Sequence, residues 1–95
     1  MVSKVVEERG EKYGHPIDNH GCTGALFSLW IKRWGEAQKS QDGPQTLTGI
    51  DVCVFNIVQK LSRAAESPEL RDHWEDIMGY AENVLMILEK EYGDE

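Results

Sequence analysis

The stretch DVCVFNIVQKLSR, residues 51–63, decides the fold, because its first half can be read two ways. From Val52 to Val58 it is rich in β-branched and aromatic side chains, a composition that suits a strand. Two features assign it to a helix instead. Thr48-Gly-Ile-Asp51 forms a capping-box signal with Asp51 at the third helical position, and the periodic segment continues to about Glu66, longer than a typical strand. Read as a helix, it is apolar nearly all round through Ile50, Val52, Val54, Phe55, Ile57, Val58 and Leu61, which predicts a central, buried element. Asn56, Lys60 and Arg63 then share one polar stripe.

Working outward, the period stays helical on both sides. Downstream, Ser67 as N-cap and Pro68 at the first helical position predict a helix that runs to Tyr92 and stops before Gly93. At about 100° per residue, Leu70, Trp74, Ile77, Ala81, Leu85 and Leu88 form its core-facing side. Upstream, Lys39 to Gln45 has loop composition, with Asp42-Gly43-Pro44 as a breaker. Before it, a helix from an Asp18 N-cap to about Gln38 carries Leu26, Leu29, Trp30 and Trp34 at core spacing. A first helix over residues 2–13 has Val2, Val5 and Val6 as its apolar edge and Gly14 as its stop. The fold class expected is therefore all-α, a single four-helix domain over residues 1–95. At this size, with Trp30, Trp34 and Trp74 to cover, the chain is expected to assemble as a homo-oligomer.

Charge and composition narrow the function. With 17 acidic against 10 basic residues, the formal charge is −7, which argues against an electrostatic grip on duplex nucleic acid. Free nucleotides remain possible, since a few local cations suffice for them. Cys22 and Cys53 show no metal-type spacing and read as small core thiols. Neither a signal-like run nor a membrane-length apolar segment occurs, so a cytoplasmic location with no membrane partner is expected.

Two polar stripes carry the candidate chemistry. Lys60 and Arg63, set in an apolar helix, need anionic partners, and the next helix offers Asp72 and Asp76. The structural reading is an interhelical ion-pair network. The functional reading has Lys60 and Arg63 holding phosphate oxygens while Asp72 and Asp76 hold a divalent cation, Mg2+, or orient the two bases. His73, Asp76 and Tyr80 cluster on one flank at i, i+3, i+7 and face either a ligand or a neighbouring helix.

The strings ERGEKYGHPIDN at 8–19, KLSR at 60–63 and RDHWEDIMGYAENV at 71–84 resemble a family of small phage and prophage proteins of unassigned function. More distantly, the last segment is similar to the metal-binding helix of the all-α nucleoside triphosphate pyrophosphohydrolases of MazG and dimeric dUTPase type. That resemblance implies magnesium held by carboxylates on two helices, Asp76 matching the final Asp of the second motif. His73 stands where an acid is expected, and Lys60 and Arg63 stand where the first acidic pair belongs. Cations there attract a phosphate and repel magnesium, so the likeness supports nucleotide binding over hydrolysis.

The break Tyr13-Gly14-His15-Pro16 fits that reading. Tyr13 or His15 would stack on a base, Arg9 and Asn19 would supply polar contacts, and Gly14 would allow close approach. The alternatives are a working magnesium-dependent pyrophosphohydrolase using Asp72, Asp76 and Glu8 or Glu75, and an acidic interaction module directed at a host factor.

Overall fold

The computed structural model describes residues 3–37 and 46–93, without the side chains of Gly10, Lys12 and Tyr13. Among the described residues there are four helices: α1 Lys4–Tyr13, α2 Pro16–Ala37, α3 Gly49–Ala64 and α4 Arg71–Tyr92. The fold is all-α, with no strand among the described residues, and residues 51–63 are helical throughout. The expected loop at 39–45 lies outside the described residues.

The cap that assigned α3 to helix is present. Thr48 Oγ1 accepts from Asp51 N–H, and the Asp51 carboxylate accepts from Thr48 N–H at 2.8 Å. α3 is the hub, packing along α2 on one side and α4 on the other. Lys60 meets Asp76, and a Cβ at Gly49 would lie 3.2 Å from Ile87 Cδ1. Each pair is eleven residues further along one helix and eleven back along the other, so α3 and α4 run antiparallel.

Two neighbours bury only two sides of α3. The expectation of burial all round fails for Val52, Phe55 and Leu61, which stay partly in solvent. Phe55 meets the ring of Phe27 edge to face, with centroids 5.2 Å apart. Among the described residues, the buried apolar side chains are Cys53, Val58 and Ala64, whereas Thr23, Asp51, Ser62, Ser67 and His73 are buried and polar. Each of those polar groups has a hydrogen-bond partner, and two of the bonds, Thr23–Ser62 and Trp30–Asp51, cross the α2–α3 seam. Cys22 is exposed, contrary to its reading as a core thiol.

Two helix starts differ from the sequence reading. α2 begins at Pro16, not Asp18. His15 fills the capping role, its Nδ1 accepting the Ile17 N–H at 3.0 Å, and Pro16 follows at the position where a missing N–H costs nothing. α4 begins at Arg71, one turn after Pro68, because Ser67 is used differently. Its hydroxyl lies 3.0 Å from Nε2 of His73, and residues 67–70 close a turn through Leu70 N–H to the Ser67 carbonyl. A buried imidazole requires a polar partner, and that requirement outweighs an N-cap.

The expected core face of α4 is also displaced. His73 is buried, and Ile77, Tyr80, Val84 and Ile87 are half-buried on the same side. Trp74, Ala81 and Leu85 lie exposed beside that seam, because α4 has one extensive neighbour and not two.

Candidate functional site

α1 ends where the sequence breaks it. Gly14 has φ +84°, a left-handed conformation that side chains other than glycine rarely adopt, and His15 and Pro16 start α2 at once. The two-residue joint brings the end of α1 and the first turns of α2 against the last turn of α3. Between them lies a cleft of about 160 Å3, lined by Val6, Arg9, Gly14, Pro16, Asn19, His20 and Arg63.

Three of the residues expected to bind a ligand, Arg9, Asn19 and Arg63, therefore come together from three different helices. Two guanidiniums, an imidazole and a carboxamide supply many donors, and the N-terminal end of the 22-residue α2 adds positive partial charge. The arrangement favours an anion with several acceptor oxygens. Asp18, in the same first turn, is exposed and not part of the lining. A carboxylate does stand near the cleft: Glu66 Oε2 would be 3.3 Å from a Cβ at Gly14.

The remaining candidates lie elsewhere. Lys60 Nζ binds Asp76 Oδ2 at 2.8 Å, so this pair realises the interhelical ion pair of the structural reading. Lys60 does not line the cleft, although it shares a stripe with Arg63. Asp76 and Tyr80 line a separate shallow groove with Glu75, Gly79, Glu82 and Asn83, and Asp72 is exposed outside it. His73 is 2% exposed and held by Ser67. Asn56 is half-buried on α3 and borders neither hollow. The Tyr13 side chain lies outside the described residues. His15, offered as a stacking group, caps α2 through Nδ1 and is exposed outside the cleft lining.

Among the described residues no three His, Cys, Asp or Glu side chains converge as a metal-ligand set. Asp76, expected as a magnesium ligand, is paired with Lys60, and Asp72 is exposed outside the groove that Asp76 lines. No helix among them is long and apolar enough to cross a membrane.

His20, outside the set of residues expected to hold a nucleotide, also lines the cleft. It lies one position after Asn19 on α2 and lines the cleft beside it. Asp51 was read as a cap alone, yet it is 1% exposed and also accepts the Trp30 indole N–H at 2.9 Å. Burial pushes its pKa up, but the backbone N–H of Thr48, the Trp30 indole and the Thr48 hydroxyl together outweigh that and hold it below the ordinary value.

The chain matches the model of a domain of unknown function, DUF6378, over residues 2–87. It is also similar to the Gene 55 protein of Mycobacterium phage D29, with 30% identity over 83 residues, 87% of this chain and 47% of the relative. The chain thus spans about half the length of that curated relative. No solved structure matches it.

Proposed function

Given that the chain belongs to the DUF6378 family, a phage-type domain of unknown function, we propose that its cleft at the α1–α2 joint binds the phosphate end of a nucleotide. The observation that carries this reading is the convergence of Arg9, Asn19, His20 and Arg63 on one cleft beside a helix N-terminus. At about 160 Å3 the cleft is smaller than the roughly 300 Å3 or more of a pocket that encloses a whole ligand, so the nucleoside would extend out over the surface. Arg63 and Arg9 would hold phosphate oxygens, with Asn19 and His20 fixing orientation.

Binding without hydrolysis is the reading the residues support best. The described acids do not assemble around the cleft, and Asp76, the match to the pyrophosphohydrolase motif, is tied to Lys60. The test is a thermal-shift series with inorganic phosphate, nucleoside mono- and triphosphates and cyclic nucleotides, with and without magnesium, on the native chain, Arg63→Ala and Lys60→Ala. A ligand at about 100 times its Kd adds about 2.7 kcal/mol. The expected outcome is a nucleotide shift lost in Arg63→Ala and kept in Lys60→Ala. A shift with phosphate alone would make the site a phosphate pocket with no nucleoside preference. Metal-dependent release of pyrophosphate would establish the hydrolase, and no shift at all would favour an acidic interaction module.

A further inference from the structure

On the reading of the α1–α2 cleft as an anion site, we propose that His20 takes up a proton when the anion binds. The added positive charge makes the cleft select a dianion, the free phosphate end of a monoester, over a singly charged phosphodiester. His20 lies in the second turn of α2 and lines the cleft together with Arg9 from α1 and Arg63 from α3.

The three histidines of the chain are employed differently. His15 uses Nδ1 to accept the Ile17 N–H, and His73 is 2% exposed with Nε2 3.0 Å from the Ser67 hydroxyl. The His20 side chain is exposed, and no group among the described residues hydrogen-bonds to its ring. Both ring nitrogens are therefore available, and solvent supplies the proton. A neutral imidazole turns one donor and one acceptor toward a ligand, whereas the imidazolium is a donor at both nitrogens. A bound anion favours the charged ring, so anion and proton each strengthen the binding of the other.

The surrounding charges say how many the ligand carries. From α1 comes the Arg9 guanidinium, exposed and without an ion pair among the described residues, and from α3 the half-buried Arg63 guanidinium. From the turn after α3 comes Glu66, whose Oε2 would be 3.3 Å from a Cβ at Gly14. On α2 itself, Asp18 is exposed and outside the lining. Two guanidiniums against one carboxylate leave a single positive charge, which a phosphodiester already balances. An imidazolium at His20 raises the surplus to two, the charge that a phosphate monoester approaches above its second pKa of about 6.

Sulfate separates the proton of the protein from that of the ligand, because it stays doubly charged between about pH 5.5 and pH 8 whereas phosphate does not. Calorimetric titration of the full chain with sulfate over that range, at constant ionic strength and in buffers of different ionisation enthalpy, reads affinity and proton uptake together. Far-ultraviolet circular dichroism confines the comparison to folded protein. The association constant should rise about fivefold or more toward the acid end, with uptake of up to about one proton per sulfate. Both effects should be lost in His20→Gln, which keeps a polar side chain and removes the titrating ring. At about pH 7.5, methyl phosphate should bind at least about tenfold more tightly than dimethyl phosphate, and that gap should narrow in His20→Gln. Sulfate binding that is independent of pH, or whose pH dependence persists in His20→Gln, overturns the proton uptake and leaves the anion cleft standing. Equal affinity for the two methyl esters overturns the preference for a dianion. Absence of binding by both sulfate and phosphate, or binding unaffected by Arg63→Ala, overturns the cleft as an anion site and the role of His20 with it.

Discussion

The two ends of α3 handle charge in opposite ways. At the first turn, Asp51 is sealed from solvent and satisfied from within by Thr48 and Trp30. At the last turns, Lys60 reaches across to a half-exposed Asp76, and Arg63 faces a cleft lined by other donors. The first arrangement is closed and makes α2 and the start of α3 one unit. The second gathers two guanidiniums from α1 and α3, with Asn19 and His20 from α2, at a surface hollow with Glu66 nearby, and an incoming anion can use such a convergence. Internal closure makes the one end structural, and convergence at a hollow makes the other the proposed site.

The largest effect should come from the closed end. Asp51→Ala removes a cap and strands the Trp30 and Thr48 donors, which costs about 3 kcal/mol, or a drop of roughly 15 °C in Tm by calorimetry, with phosphate affinity unchanged in the folded fraction. Acid acts on the same group. Because folding lowers the Asp51 pKa, its contribution is fully present above about pH 4, the ordinary carboxylate range, and is lost as pH falls through the lowered value. Asp51→Asn should therefore flatten the acid side of a stability–pH profile, and an unchanged profile would mean the carboxylate is not closed in as described.

At the open end, Arg63→Ala should weaken anion binding about tenfold or more in a calorimetric titration while shifting Tm by less than about 3 °C. Lys60→Ala should do the reverse in kind. The Lys60–Asp76 pair is partly exposed, so its loss costs about 0.5 kcal/mol and leaves anion affinity alone. Equal losses of affinity in the two variants would break the distinction between them. The smallest effect is a gain: Glu66→Gln removes a carboxylate beside the cleft and should tighten phosphate binding about two- to threefold.

How much of this was legible depended on whether a residue answers to its neighbours in sequence or in space. The Thr48–Asp51 cap, the Gly14 stop and the helical reading of residues 51–63 are local, and they stand in the structure as the spacing implies. The start of α4 was misplaced because Ser67 is governed by His73, a tertiary partner. Lys60 and Arg63 looked equivalent since they are one turn apart on α3. Their difference arises from α4 on one side and the α1–α2 joint on the other, which no periodicity in α3 encodes. The same is true of the α4 core face: a 3.6-residue period shows an apolar side but not how much of it a neighbour covers.

The tryptophans turn these contrasts into optical signals. Trp30 donates to a sealed carboxylate, whereas Trp74, exposed on α4, donates to the Pro68 carbonyl. Native emission is therefore a composite of three indoles, in which Trp30 reports the integrity of the α2–α3 seam, Trp34 the last turns of α2 and Trp74 the surroundings of α4. Replacing Trp74 by phenylalanine would leave the emission of Trp30 and Trp34 on α2, and the difference from the native spectrum would isolate the indole on α4.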